Sequence, residues 1–197
     1  MTSVVFVHGF MGGSRQWQGQ VEALLGFDVI ALDLPGFGEN AQLEALDSIA
    51  GYAEWALNQL TERGIKRFHL VGHSMGGMIV QEMVSQAPER IDRLVLYGTG
   101  ATGVLPGRFE TIGTSKRRAR SDGSQTTARR IAATWFLKRE EAGAYENCAA
   151  IAEKCSLRAI LTGLDAMQGW SGVERLAAIQ TKALVIWGDL DRTYPWC

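Results

Sequence analysis

Three residues at alternate positions give this sequence its clearest chemical signal. Gly72, Ser74 and Gly76 fit the pattern G-x-S-x-G, in which a sharp turn between a strand and a helix exposes a serine hydroxyl. An apolar run from Phe68 to Val71 precedes the turn, and the pattern predicts a helix from Met75 to about Gln86. Side chains at the glycine positions would make the strand and the helix collide. A plain glycine-rich turn can show the same letters, but the flanking strand and helix favour a nucleophile at Ser74.

A serine nucleophile needs partners whose chemistry can be sought along the chain. A general base must take the hydroxyl proton, a carboxylate must orient that base, and hydrogen-bond donors must stabilise the oxyanion. The helix after Ser74 directs its first N–H groups towards any anion that forms beside the serine.

The elements that must position these groups alternate along the sequence. Ser14 is predicted to cap a helix that buries Trp17, Val21 and Leu24 or Leu25, and Gly64 is predicted to end another. Alternating strands and helices predict a parallel sheet with helices on both faces. The second helix has its buried face at Ile49, Tyr52, Ala53, Ala56 and Leu60, and the predicted strands are Val4 to Val7, Phe27 to Leu34, Phe68 to Val71, Ile91 to Tyr97 and Ala183 to Trp187.

Between residues 101 and 171 the pattern changes to helices alone. One apolar face combines Ala128, Ile131, Ala132 and Trp135, and a second helix is predicted from Tyr145 to Leu161. This segment has an excess of basic residues, concentrated in 116–120 and 129–130. A solvated surface is one interpretation. The other is that one arginine of this segment binds a substrate carboxylate, since arginine suits bidentate recognition. We expect Trp135, Phe136, Met167 and Trp170 to form the core of this helical segment, and the alternative that some of them line the substrate pocket stays open.

Composition excludes several classes of protein. The chain has 197 residues, 46% hydrophobic and 21% charged, with a net charge of −1, as is usual for a soluble globular protein. Near-neutral charge gives no general case for binding nucleic acid or a membrane surface. No apolar run approaches the roughly 18 residues of a membrane span, and no basic segment indicates a signal peptide. The three cysteines (Cys148, Cys155 and Cys197) form no disulfide framework, which predicts free thiols and a cytoplasmic location.

Four motifs in one order resemble the α/β-hydrolase-fold superfamily, in its lid-bearing form. They are His8-Gly9-Phe10, Asp33-Leu34-Pro35-Gly36-Phe37-Gly38, Gly72-His73-Ser74-Met75-Gly76-Gly77 and Trp187-Gly188-Asp189-Leu190-Asp191. The second motif departs from the family, because Asn40 stands where a serine is usual. The resemblance implies an α/β core formed by residues 1–100 and 172–197, with residues 101–171 inserted as a helical lid.

The resemblance also implies roles for individual residues. Ser74 would be the nucleophile, and the backbone N–H groups of Phe10 and Met75 would form the oxyanion hole. The family places its catalytic acid three residues after a glycine, which selects Asp191, while Asp189 is expected to satisfy backbone N–H groups of the turn.

The general base is not apparent. The sequence contains three histidines: His8 in the oxyanion loop, His69 on a strand, and His73, whose ring should point away from the Ser74 hydroxyl. In the family the histidine follows one further strand after the acid, so the sequence resembles a hydrolase truncated at its C-terminus. We expect the chain alone to be nearly inert and prone to aggregation, because the apolar strand from Ala183 would form an exposed sheet edge.

The expected function is a serine hydrolase of small carboxylic esters or lactones, acting through an acyl-enzyme. The layout resembles both the 3-oxoadipate enol-lactonase branch and carboxylesterases. Two alternatives stay open: the same site used for C–C hydrolysis, perhydrolysis or a lyase step, and a non-catalytic ligand-binding fragment. The partner would be a small molecule. No cofactor or metal motif is visible, and the oligomeric state is not predicted.

Overall fold

Five parallel strands form the sheet on which the rest of the chain is built. The computed structural model describes residues 1–105 and 110–194. The strands occur in the order β2-β1-β3-β4-β5 and all neighbouring pairs are parallel. Their bounds are Ser3–Val7 (β1), Asp28–Leu32 (β2), Phe68–His73 (β3), Ile91–Tyr97 (β4) and Ala183–Ile186 (β5). The predicted parallel sheet is therefore confirmed, with β3 in its centre.

Helices follow the strands as the alternation predicts. Within the core they are α1 (Gln18–Ala23), α2 (Ile49–Glu62) and α3 (Met75–Gln86). Strand β1 is covered on both faces, because Val5 and Val7 join the main core while Val4 and Phe6 pack with Trp17. The five residues predicted as the buried face of α2 are all buried, and Gly64 follows that helix with a φ of +73°.

The helical segment between the two parts of the core contains α4 (Ile112–Thr134), α5 (Tyr145–Ala152) and α6 (Leu157–Gln168). Its two ends meet in a short antiparallel bridge between Thr102 and Ser171. Helix α3 stabilises this junction through Glu82, whose carboxylate accepts hydrogen bonds from Trp170 Nε1 (2.7 Å) and from Arg175. We call residues 101–171 the lid from here on.

Two local predictions were wrong, and one alternative is decided. Ser14 does not cap a helix through its side chain but donates to the Asp33 carboxylate at 2.6 Å. Of Leu24 and Leu25, Leu24 packs against the cluster of Val4, Phe6 and Trp17, and Leu25 is exposed. The single helix predicted from Tyr145 to Leu161 is two helices, because the Ser156 hydroxyl accepts from the backbone N–H of Ala159 and starts α6.

Strand β5 lies at the edge of the sheet and is exposed on both faces. The exposed fractions of Leu184, Val185 and Ile186 are 56%, 51% and 43%. This confirms that the apolar strand from Ala183 forms an exposed edge. Within the described residues, no helix combines the length and the apolar character needed to cross a bilayer.

Candidate active site

Ser74 occupies the turn between β3 and α3 in a strained conformation. Its φ of 54° and ψ of −121° lie in a region that side-chain-bearing residues rarely adopt. The neighbouring loop after β4 holds the turn, since Ser74 N–H donates to Tyr97 O (3.1 Å) and Thr99 Oγ1 donates to Ser74 O (2.8 Å). The hydroxyl of Ser74 is thereby presented at the carboxyl end of the sheet, where a cavity opens beside it.

The glycines of the motif are required by close packing. A Cβ atom at Gly72 would lie 2.5 Å from Gly76 O, and one at Gly76 would lie 2.3 Å from Val7 O. Both distances are far shorter than van der Waals contact. The turn therefore brings α3 so close to β1 and β3 that only glycine fits at these positions.

The loop after β1 lies directly against Ser74. A Cβ atom at Gly9 would be 3.0 Å from Ser74 Cβ. Within the described residues, neither the Phe10 N–H nor the Met75 N–H donates a backbone hydrogen bond, so both are available to an oxyanion. The Phe10 ring meanwhile packs edge-on against Phe37, with ring centroids 5.9 Å apart. The predicted use of both backbone groups as oxyanion donors stays a prediction.

Asp191 lies in the loop after β5, on the same edge of the sheet. Its Oδ1 atom accepts from the N–H groups of Thr193 (2.8 Å) and Tyr194 (2.9 Å). The turn role expected of Asp189 was wrong, because Asp191 satisfies these N–H groups and Asp189 is exposed. Asp191 Oδ2 lies 3.5 Å from the position of a Cβ atom at Gly98, facing the loop after β4. That free oxygen is the one that could orient a base.

The Ser74 hydroxyl forms its hydrogen bond with Tyr194. The distance between Ser74 Oγ and the Tyr194 hydroxyl oxygen is 3.2 Å. A phenol both donates and accepts hydrogen bonds. At neutral pH it is a poor acceptor of the serine proton, so this contact positions the hydroxyl without activating it.

His8 is committed to bracing the oxyanion loop. Its Nε2 atom accepts from the Leu34 N–H (3.0 Å), which places the proton on Nδ1, and Nδ1 donates to Gly9 O (2.8 Å). Complete burial lowers the pKa of His8. With both ring nitrogens in use, His8 holds the loop and takes no part in proton transfer from Ser74.

Of the other two histidines, His69 is distant from Ser74, whereas His73 lines the same cavity as Ser74 but has a pKa lowered by burial. His69 lies five residues before Ser74 on β3, roughly 16 Å away along the strand. The His73 ring packs against Tyr97 at 4.8 Å between ring centroids. Burial lowers the pKa of His73 to about 4, although the Asp191 carboxylate acts in the opposite direction. A base with so low a pKa is a weak acceptor at neutral pH.

A cavity of about 910 Å³ joins Ser74 to the lid. Its floor includes Gly9, Phe10 and His73, and the loop 188–194 forms one side. Trp135, Phe136 and Met167 pack in the lid core and also line this cavity, so the alternative left open for them holds. Trp170 does not line it and is buried, as predicted. The cavity is large enough for a small organic substrate.

Four of the six basic residues in 116–120 and 129–130 pair with lid carboxylates. Lys116 pairs with Asp165, and Arg129 pairs with Glu146 at 2.7 Å. Arg118 and Arg130 both pair with Glu110. Within the described residues, none of the basic side chains in 116–120 and 129–130 lines the cavity. Arg139, which also belongs to the lid, does line the cavity, so the arginine clamp predicted for a substrate carboxylate stays a prediction.

Sequence reasoning missed two residues of this site. Tyr194 reaches Ser74 from 120 positions away, and Glu110 lines the cavity from the start of the lid. The proximity of Tyr194 to Asp191 along the chain was a usable signal for the first. Nothing in the local pattern around Glu110 distinguishes it from an ordinary surface carboxylate.

Comparisons with known proteins give one family. Over 98% of its length the chain is 28% identical to the dihydrolipoyllysine-residue acetyltransferase component of the acetoin cleaving system of Cupriavidus necator. Along 51% of its length, the chain is 33% identical to a 2-hydroxy-6-oxononadienedioate/2-hydroxy-6-oxononatrienedioate hydrolase of a Pseudomonas species. The matched parts make up 53% and 37% of those two proteins, so the chain spans about half of the first and less of the second.

Solved structures show the same fold. An enol-lactonase of Burkholderia xenovorans aligns with a TM-score of 0.84 at 22% identity, covering 95% of this chain and 72% of the enzyme. An esterase of Thermogutta terrifontis aligns with a TM-score of 0.84 at 24% identity, covering 99% of this chain and 74% of the esterase. A model of the alpha/beta hydrolase fold matches residues 2–196. The parallel sheet flanked by helices agrees with these comparisons, and the chain belongs to the α/β-hydrolase-fold family.

Proposed function

We propose that this protein is the nucleophile-bearing part of a serine hydrolase that cleaves small carboxylic esters or lactones. The observation that carries the proposal is the placement of Ser74. It has a positive φ at the top of the central strand, beside the loop of Gly9 and at the floor of the cavity. Strain of this kind persists where the surrounding structure enforces it, and it is concentrated at functional sites.

The proposed reaction has two stages. Ser74 Oγ attacks the ester carbonyl carbon, its proton passes to the general base, and the carbonyl oxygen becomes an oxyanion beside the N–H groups of Phe10 and Met75. Collapse of the tetrahedral intermediate breaks the bond to the alcohol, which leaves with the proton. Water then attacks the acyl-enzyme in the same way, and the acid is released with Ser74 restored. A lactone gives one product, since its alcohol and acid are the same molecule.

We place the general base outside residues 1–197. His8 is fully engaged with the loop backbone, His69 is distant, and His73 packs against Tyr97. The proposed base is a histidine on a further segment of the natural polypeptide, oriented by Asp191.

The proposed cellular location follows from the state of the cysteine thiols. Cys148 and Cys155 are free, and burial raises the pKa of the Cys155 thiol to about 12, which keeps it inert. Unpaired cysteines favour a reducing compartment, so a cytoplasmic location is proposed. The proposed partner is a small-molecule substrate, and the chemistry described needs no cofactor.

A fluorophosphonate probe tests the proposed function in the natural full-length protein. Only an activated serine reacts readily with such a probe. We expect covalent labelling, with peptide mass spectrometry placing the adduct on Ser74. Labelling should be lost after heat denaturation, which serves as the control. A folded full-length protein that resists the probe would rule out an activated Ser74.

A further inference from the structure

We infer that Glu82 is a positioning residue that fixes the lid wall of the cavity relative to Ser74, and that its contact with Trp170 governs the binding of esters long enough to reach the lid. The inference rests on the proposed function and concerns the substrates of the same site. Three features support it: a buried carboxylate on the helix that Ser74 begins, two lid segments joined to each other at the point of contact, and cavity-lining residues that directly precede Trp170.

Glu82 is a buried carboxylate on α3, the helix that begins directly after Ser74. Its side chain is 8% exposed. Its Oε1 atom accepts hydrogen bonds from Trp170 Nε1 (2.7 Å) and from Arg175. A buried charge is costly unless it is paired, and hydrogen bonds to a charged group are roughly twice as strong as neutral ones. Trp170 is thereby held at a fixed place on the helix that presents the nucleophile.

The two segments that connect the lid to the core meet at Trp170. We call these segments, residues 101–103 and 170–172, the lid stems. They pair in an antiparallel bridge, and the Gly103 N–H donates to Trp170 O (3.0 Å). A Cβ atom at Gly103 would lie 1.6 Å from Met167 O, so the first stem also packs tightly against the end of α6. A displacement of Trp170 would therefore move both stems and the end of α6 together.

Gln81 provides a second link between α3 and the lid. Its side chain is buried, and its Nε2 atom donates to Gly77 O and to Gly100 O, both at 3.0 Å. Gly100 directly precedes the lid, and Thr99, one residue earlier, donates to Ser74 O (2.8 Å). The start and the end of the lid are thus held by neighbouring residues of one helix, the helix that Ser74 begins.

The residues next to this contact line the cavity. Leu164 and Met167 on α6 are both part of the cavity wall, and the Trp170 N–H donates to Met167 O (3.2 Å). A misplacement of about 1 Å in a group that positions a substrate can cost about 10²-fold in rate. Loss of the Glu82 contact should therefore weaken the binding of a substrate that touches this wall. A substrate too short to reach the lid should be unaffected.

Glu82→Met tests the inference in the full-length protein, with p-nitrophenyl hexanoate and p-nitrophenyl acetate as substrates. Methionine has a similar length but offers no oxygen to Trp170 Nε1. We expect KM for the hexanoate ester to rise about tenfold, while its kcat and both constants for the acetate ester stay within about twofold. Glu82→Gln keeps an acceptor oxygen and should restore most of the binding. Glu89→Met is the matched control, because it removes an exposed carboxylate just after α3 that does not line the cavity.

Trp170→Phe tests the same contact from the lid. It keeps an aromatic ring and the pair between Glu82 and Arg175, but it removes the donor, so KM for the hexanoate ester should rise by a similar factor. Equal losses on the two esters, or a loss confined to kcat, would overturn the inference, because general damage to the fold or to the chemistry gives those patterns. An unchanged KM for the hexanoate ester in Trp170→Phe would overturn it as well.

Binding of hexananilide separates this inference from the proposed function, since it requires no turnover. Calorimetric titration should give a Kd about tenfold weaker for Trp170→Phe than for the wild-type protein. The same Kd for both proteins, or no binding to the wild type, would overturn the inference even where the serine chemistry holds. A weaker Kd for the variant, together with no ester turnover by the wild type, would support the positioning role and reject the proposed function.

Discussion

Ser74→Ala should lower kcat for p-nitrophenyl butyrate by about 10⁶-fold in the full-length protein, because removing a serine nucleophile costs that much in a well-studied hydrolase. The methyl group of alanine cannot form the acyl-enzyme, so only oxyanion stabilisation and binding remain. The backbone bonds that hold the turn, Ser74 N–H to Tyr97 O and Thr99 Oγ1 to Ser74 O, do not use the hydroxyl and should survive. The initial rate at saturating substrate measures the effect.

Ser85→Ala is the matched control. Ser85 lies on the same helix α3, where its hydroxyl donates to Gln81 O at 3.1 Å, and it does not line the cavity. Its loss should leave kcat within a few-fold of the wild-type value. Circular dichroism of both variants should match the wild-type spectrum. A folded Ser74→Ala protein that retained most of its activity would exclude the acyl-enzyme mechanism.

Asp191→Asn should lower kcat by about 10⁴-fold, as replacing the triad aspartate does in a serine protease. An amide keeps the acceptor that the N–H groups of Thr193 and Tyr194 need, so the loop should persist. It carries no charge to stabilise a protonated base, and it can hold that base in the wrong tautomer. Steady-state kinetics on p-nitrophenyl butyrate should show the loss mainly in kcat.

Asp189→Asn is the control for the second carboxylate of the same loop. Asp189 is exposed, and the turn N–H groups bond to Asp191 instead. Its replacement should change kcat less than tenfold. If the Asp189 variant lost more activity than the Asp191 variant, the acid would have been assigned to the wrong position.

Local sequence patterns correctly predicted the strands and helices whose apolar residues repeat regularly. Strand β4 and helix α3 have the predicted bounds, because their apolar residues repeat with one period and their ends carry clear signals. The break between α5 and α6 was missed, since the apolar positions continue in helical register across Ser156. The role of Ser14 was missed because Asp33, 19 residues away, competes for its hydroxyl.

Some residues of the candidate site could also be predicted from the sequence, and others could not. The turn at Ser74 was predictable because glycine and serine at fixed spacing report a steric requirement of the backbone. Glu110 was not, because its place in the cavity wall comes from tertiary contacts with Arg118 and Arg130 in the lid. The basic residues in 116–120 and 129–130 suggested a carboxylate-binding surface, and folding pairs four of these six with lid carboxylates instead.

Trapping the intermediate tests the central claim most directly. The full-length protein would be mixed with p-nitrophenyl butyrate, quenched in acid during turnover, digested and examined by mass spectrometry. We expect a butyryl group on the peptide that contains Ser74, and fragmentation should place it on that serine. A butyryl group on any other residue would contradict the acyl-enzyme mechanism at Ser74. So would ester turnover in which hydroxylamine-sensitive acyl-protein accumulates while Ser74 stays unmodified.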